Sequence, residues 1–459
     1  MNNLSNHQFD KLPVGAFEHY FLNDDTSDYP GIFYTRVTLT GLFNHGQFEQ
    51  AVKKALQRSL LLRSIIVGNV KGKAKDVYWT PAEYQPFIQW VADQEPYRYP
   101  NPESSGFDLT KEYGFRLFLR EAQQQTVLLL QTHHSCVDAT GSRMFIEDIL
   151  AYYDQQINGL AEHEAKLRPI VQETLRRRDE FHQTPESLKK RRFIDFKYIA
   201  KMLLYQPRSL CLGKTLINPE AIQSPSSAWH EFSAAEFKTL KAAAKNQQGT
   251  INDFLLWCLF LTLEEWNRTH HSKGKSVRIR VGMAVNLRKK TEDDLIPPAN
   301  VLSMYFIDRA GDILSNPSKL FTSLTEETQY VKQNLMGLTF IRFARFLGRI
   351  NGGIQQLLKP RPLFSKCLVT VNTSNLGLPL ADSPLLNAQG KVQAADMLVE
   401  RIELLPPFRA YTHGAFGIAS YDGRMVITFN YDSRTVEAQQ GEAILALFIK
   451  RIYHECSKI

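Results

Sequence analysis

An apolar run, Val127-Leu128-Leu129-Leu130, empties into the nine residues His133-His134-Ser135-Cys136-Val137-Asp138-Ala139-Thr140-Gly141. A helical pattern follows, with Met144-Phe145-Ile146, Ile149-Leu150 and Tyr152-Tyr153 returning every three or four residues. This order of strand, polar turn and helix is the strongest constraint in the chain. A short continuous apolar strand is buried on both faces, so it requires a sheet covered by further layers. Its end delivers two histidines and an aspartate into a turn, where a rigid frame can present reactive groups.

The flanking sequence supplies the rest of such a sheet. Phe115, Leu117 and Leu119 alternate with Arg116, Phe118 and Arg120, and predict a strand paired with 127–133 through the polar turn 121–125. A further alternating strand is expected over 32–39. Phe48, Val52 and Leu56 mark one face of a helix, which runs into Arg58-Ser59-Leu60-Leu61-Leu62-Arg63 and strands near 65–67 and 77–80. A polar loop is expected over 101–106, and Asn158-Gly159 caps the helix after the turn.

The second half repeats the mixture. Strands are expected over 229–232, 277–285, 301–307, 368–371, 415–420 and 425–430, the last two joined through Tyr421-Asp422-Gly423-Arg424. Helices are expected over 234–245, 319–335 and 436–453. Thr250-Ile251-Asn252-Asp253 reads as a capping box opening a buried helix to about 266, whose apolar run 254–263 is too short to span a bilayer. At 459 residues the chain is too long for one ordinary domain. We divide it into an N-terminal lobe 1–185, a basic amphipathic bridge 186–214 and a C-terminal lobe 215–459. The fold class is α/β, or α+β, with two similar lobes built as two-layer sandwiches.

Charge is unevenly placed. Of a net +8, the stretch 189–214 holds eight basic residues (Lys189, Lys190, Arg191, Arg192, Lys197, Lys201, Arg208, Lys214) against Asp195 alone. A second patch, Arg342, Arg345, Arg349, Lys359, Arg361 and Lys366, has no acid. Such patches suit phosphates on a cofactor, a membrane or a nucleic acid. Phe193, Phe196, Ile199, Met202 and Leu203 lie among the first set, so 189–214 is either a helix on an anionic membrane surface or one packed on the lobe. Aliphatic content and the lack of a recognition motif argue against nucleic acid. Five widely spaced cysteines without a CxxC pair argue against a disulfide framework or a metal site. With a polar N-terminus lacking a secretory signal, they point to the cytoplasm, with contact at the inner face of a membrane left open.

Several templates fail. Gly213-Lys214-Thr215 ends like a phosphate loop, but Arg208 occupies the position of its first glycine. His270-His271, in a basic loop with Lys273 and Lys275, has neither a nearby acid nor a preceding strand and reads as surface. The pair at 133–134 differs in context. A neutral imidazole can take a proton at cellular pH. Asp138, four residues after His134, can orient that ring or brace the turn through an arginine, and Gly141 lets the backbone leave the turn. Cys136 as a nucleophile with His134 as base is a second chemistry. Two histidines satisfied within a core are the structural alternative.

His133-His134-Ser135-Cys136-Val137-Asp138-Ala139-Thr140-Gly141 resembles the HHxxxDG signature of the superfamily of CoA-dependent acyltransferases and non-ribosomal peptide condensation domains, which includes chloramphenicol acetyltransferase. Arg58–Arg63 looks like its "RHPLLR" region, Thr250–Leu256 like "TVNDVLL", Asn286-Leu287-Arg288 like "NLR", Asn300–Ser303 like "GN..S" and Asn375-Leu376-Gly377 like "SNLG". The resemblance implies two pseudo-symmetric chloramphenicol acetyltransferase-like lobes with a tunnel between them. It implies that His134 is the general base, that Asp138 is structural and paired with Arg288, and that His133 packs and hydrogen-bonds. Ser374, Asn375 and Asn286 become candidates for oxyanion or substrate contact. It implies an acyl donor, acyl-CoA or a phosphopantetheine thioester on a carrier protein, used as co-substrate with a small-molecule hydroxyl or amine acceptor, and no permanently bound cofactor or metal. Amide formation from carrier thioesters is one alternative, and a non-catalytic lipid- or partner-binding protein is another. One departure stands out: Ala139 occupies the glycine position of the signature, where a methyl narrows the tunnel unless Gly141 compensates.

Overall fold

The alternation around 32–39 becomes the strand Ile32–Thr40, and the apolar run before the histidines becomes Gln125–His133 beside it. The computed structural model describes residues 10–27, 29–91, 106–179, 185–210, 212, 225–270, 278–288, 295–349, 367–407, 409 and 412–458. The loop 101–105, Cys211, Gly213, Lys214, Thr215, His271, Lys273, Lys275, Lys359, Arg361, Lys366 and the side chains of Lys189, Lys190, Arg191, Arg192, Phe193 and Leu203 lie outside the described residues.

Two six-stranded sheets dominate. The first runs in the order Gln393–Ala394, Met397–Leu405, Ile32–Thr40, Gln125–His133, Phe115–Ala122, Ile88–Val91. Gln125–His133 lies inside it. Leu128 and Leu130 enter the main core beneath the sheet, while Leu129 joins Tyr34, Phe118 and Leu405 on the other face. This is why the run is apolar without alternation. Its partner Phe115–Ala122 returns through a two-residue turn, Gln123-Gln124, with φ of 47° and 62°. The turn is tighter than the five residues expected. Both residues occupy left-handed backbone, as a two-residue hairpin requires.

The second sheet runs Leu302–Arg309, Ile279–Asn286, Val371–Asn375, Gly414–Tyr421, Arg424–Asp432, Pro225–Phe232. Its centre is parallel, so the carboxyl ends of Ile279–Asn286 and Val371–Asn375 open on one side. Helix Ile251–Thr269 is buried almost all round beneath it. Thr250 and Asp253 close its first turn reciprocally, at 2.8 Å and 3.2 Å. Each sheet thus carries its own helices and core, giving two lobes.

The linear division does not follow the sheets throughout. Met397–Leu405, late in the sequence, pairs with Ile32–Thr40 and belongs to the first sheet. Its Leu404 carbonyl also accepts a hydrogen bond from Thr428 of the second sheet at 2.5 Å. A Cβ on Gly417 would sit 1.9 Å from that carbonyl, so the close approach of the two sheets depends on glycine there.

Elements without a counterpart in the sequence reading include helices Ala16–Asp24 and Gly337–Leu347 and strands Ile88–Val91 and Met397–Leu405. The expected amphipathic bridge over 186–214 is helical only in its first part. Among the described residues the 3-10 turns Glu162–Glu164 and Gln172–Arg177 precede it, and its α-helix, Pro185–Leu204, stops before Pro207. Met202 of that helix is buried in a cluster with Phe17, Phe306 and Phe340, and Tyr198 and Ile199 pack on the same cluster. Protein therefore covers much of the face that a membrane would have contacted, and Phe196 and Leu204 point outward. No helix among the described residues is long and apolar enough to cross a membrane.

Candidate active site

His133 ends its strand opposite Ile32, and the chain turns at once, with Cys136 N donating to His133 O at 3.0 Å. The ring of His133 is buried. Its Nδ1 accepts from Ser135 N at 3.2 Å and lies 2.6 Å from Ser135 Oγ, while Nε2 lies 3.6 Å from Asp25. The turn thus engages Nδ1, while Nε2 is buried without a hydrogen-bond partner among the described residues.

His134 faces the other way. Its main chain is held on both sides: its N donates to Gly31 O at 2.7 Å, and its O accepts from Asn300 Nδ2 at 2.6 Å. The ring stacks on Phe21, centroids 4.1 Å apart and 7° from parallel, and Phe33 tilts against it at 4.8 Å. Burial pushes its pKa down to about 4; its own main chain and Asp138 pull weakly upward. Nδ1 is fully buried without a hydrogen-bond partner among the described residues. Because the residue also lines a cavity, Nε2 is the ring nitrogen left to meet a ligand.

Asp138 makes no hydrogen bond to His134. It caps helix Ala139–Ile157, its Oδ1 accepting from Gly141 N at 2.8 Å. Oδ2 accepts from Arg288 Nη1 at 2.6 Å and from Val301 N at 2.8 Å. Arg288 continues to Ala299 O at 2.7 Å. One carboxylate therefore caps a helix of the first lobe and ties it to Arg288 and Val301, with both oxygens occupied.

Gly141 has a different role from the one expected. It is the third residue of the helix and has no positive φ. A Cβ there would lie 2.9 Å from both Ala299 N and Ala299 O, and 3.1 Å from Val137 Cβ. It lets the backbones of the two lobes touch rather than freeing a turn. In an ordinary helix Gly→Ala gains about 0.5–1 kcal/mol, but overpacking costs roughly 1–3 kcal/mol. Gly141→Ala is expected to be net destabilising, read as a lower denaturant midpoint. A raised midpoint would show that the contact yields freely.

The cavity, about 390 Å³, lies between the lobes. Phe17, Tyr20, Phe21 and Asp24 line it from helix Ala16–Asp24, and Phe340 and Phe343 from Gly337–Leu347. Ala139 also lines it, at the first position of its helix. Asn286, Ser374 and Asn375 line it from the strand ends of the second sheet. Ser374 Oγ makes no hydrogen bond among the described residues, whereas Asn375 Oδ1 holds Gly377 N at 2.9 Å and Asn286 Oδ1 holds Arg288 N at 3.0 Å. Arg409 reaches in to pair with Asp24 and Tyr20.

Cys136 does not line this cavity. It is fully buried against Gly114, and burial pushes its thiol far up, so nucleophilic catalysis by Cys136 is set aside. Two contributors escaped the sequence reading in role or altogether. Asn300 stood there only as part of a resemblance, and nothing local shows that it holds His134. Helix Ala16–Asp24 had a usable signal: Phe17, Tyr20, Phe21 and Asp24 recur at spacings of three and four.

The sequence profile that describes the condensation domain matches residues 22–290. No curated protein matches the sequence. The trichothecene 15-O-acetyltransferase from Fusarium sporotrichioides superposes with a TM-score of 0.71 at 12% identity, covering 97% of this chain and 96% of that one. The first condensation domain of the CDA synthetase gives 0.69 at 11% identity, with 97% and 96% covered. The starter condensation domain of rhizomide synthetase, solved in complex with C8-CoA, gives 0.67 at 13% identity, with 97% and 95% covered. At these identities the likeness is one of fold.

Proposed function

The chain belongs to the condensation-domain family, and from that premise we propose that it transfers an acyl group from a thioester to a hydroxyl or amine. The observation that carries this reading is His134: a ring held neutral by burial, one nitrogen turned to an apolar cavity, and no carboxylate bonded to it. His134 Nε2 removes the acceptor proton as the acceptor attacks the thioester carbonyl. The tetrahedral intermediate then collapses, the C–S bond breaks, and the proton passes from the imidazolium to the departing thiolate. No covalent enzyme intermediate is required. Ser374, across the cavity with an uncommitted hydroxyl, donates to the oxyanion. Asp138, Arg288 and Asn300 hold the turn rather than take part in proton transfer.

The donor in this reading is an acyl-CoA. Support comes from the starter condensation domain of the same fold that was solved with C8-CoA. The test is thiol release from a panel of acyl-CoAs, acetyl to palmitoyl, mixed with hydroxyl and amine acceptors, and repeated with the same acyl groups on a carrier protein. We expect release that needs both acceptor and protein, with one acylated product per thiol by mass spectrometry. Release from the carrier thioesters alone would move the donor to a carrier protein. No acceptor-dependent release from either donor would overturn the reading.

A further inference from the structure

We propose that Arg208 and Arg278 form a phosphate-binding site at the rim of the cavity, and that it takes a phosphate ester of the acyl donor. The choice of donor rests on the acyl-transfer reading; the site itself does not.

The segment after helix Pro185–Leu204 forms part of the cavity wall, with Tyr205, Gln206 and Pro207 all lining it. Arg208 comes next. Its N donates to Arg278 O at 2.9 Å, which sets the backbones of the two arginines side by side. The Arg278 guanidinium lies over the Tyr205 ring, 4.4 Å from its centroid, and Tyr205 is 49% exposed. Arg208 and Arg278 are thereby placed at the point where the wall meets solvent.

Arg280, two residues along, shows what an arginine with a purely structural role looks like here. It bonds Asp308 at 2.9 Å and the carbonyls of Met202, Leu368 and Tyr205 at 3.0, 3.2 and 2.7 Å. It secures the rim through four hydrogen bonds spread over all three of its nitrogens. The side chains of Arg208 and Arg278 make no ion pair and no hydrogen bond among the described residues, and Arg208 Nη1 is buried without a partner.

An unpaired buried N–H is costly, and two arginine charges carried on neighbouring stretches of backbone repel. A phosphate answers both, since it carries up to two negative charges and several acceptor oxygens, matched to the planar fork of arginine. A neutral ligand would relieve neither. CoA and carrier-bound phosphopantetheine both supply phosphate beside a pantetheine arm, so the chemistry is shared and the source is a matter for experiment.

The test is calorimetric titration of the full chain with CoA, 4′-phosphopantetheine and pantetheine, in wild type, Arg208→Gln, Arg278→Gln and Arg278→Lys. Loss of one charge-assisted contact should raise the CoA Kd about tenfold in each Gln variant. Arg278→Lys should lose less, since it keeps the charge, and pantetheine binding should not change. Weakening of both CoA and phosphopantetheine places the pantetheine-linked phosphate here. Weakening of CoA alone places the nucleotide phosphates and excludes a carrier. An unchanged CoA Kd in both Gln variants, or an equal loss for pantetheine, overturns the proposal. Arg278, the partly exposed partner, decides alone if Arg208→Gln does not fold. Binding needs no turnover, so a protein that holds CoA through these arginines but transfers nothing would refute the acyl-transfer reading and leave the site standing.

Discussion

Replacing His134 by alanine is expected to lower transfer by roughly 10²–10⁴-fold, the usual contribution of a positioned general base. The fold should persist, because the ring makes no hydrogen bond among the described residues and the turn is held by main-chain contacts to Gly31 and Asn300. Full activity in this variant would sink the mechanism. The pH dependence is specific too. With a folded pKa of about 4, His134 is neutral throughout the physiological range. kcat/KM should therefore show no inflection from this group near its ordinary value of about 6.5. Stability follows the same sign. The folded value lies below the unfolded one, so between about 6.5 and about 4 the unfolded chain binds more protons. This contribution is intact above pH 6.5 or so and is lost as pH falls toward 4, amounting to about 3 kcal/mol. Denaturation of His134→Ala across that window should show a shallower acid loss than wild type; identical slopes would show that burial does not hold the ring neutral.

The second large effect concerns Asp138. Its two oxygens accept three hydrogen bonds, from Gly141, Arg288 and Val301. Asparagine keeps the shape but turns an NH₂ toward at least one of those donors and leaves the Arg288 charge unbalanced at a nearly buried site. The expected cost is roughly 2–4 kcal/mol, between that of an orphaned donor and that of a broken buried pair. Activity should fall with it, because the same residues fix the turn that presents His134. Arg288→Gln should cost a similar amount, and the double variant less than the sum, since the two act through one contact. If Asp138→Asn matches wild type in both thermal midpoint and rate, the carboxylate is not a brace.

Short-range physics made much of this protein legible from sequence. The apolar run was readable as a doubly covered strand because sheet burial removes alternation. Thr250 and Asp253 announced a helix start because capping is settled within one turn. Asp138 as a bridge to Arg288 came from resemblance, not from local pattern, and the ion pair spans 150 residues. Elements whose meaning depends on distant partners escaped: Met397–Leu405 is assigned to the first sheet only by pairing with Ile32–Thr40, and Ala16–Asp24 matters because Phe21 lands on His134.

The sequence by itself determined the candidate residues for the chemistry and the strand, turn and helix that carry them, the elements following from periodicity and capping over a few residues. Only the tertiary structure decided which way each side chain faces. His134 looks into a cavity and His133 Nδ1 into the turn, Cys136 is sealed in the core, Gly141 serves an inter-lobe contact, and the side chains of Arg208 and Arg278 have no ion-pair partner among the described residues while Arg280 makes four hydrogen bonds. Those outcomes depend on burial and, for most of them, on partners distant in sequence, and no local pattern encodes either.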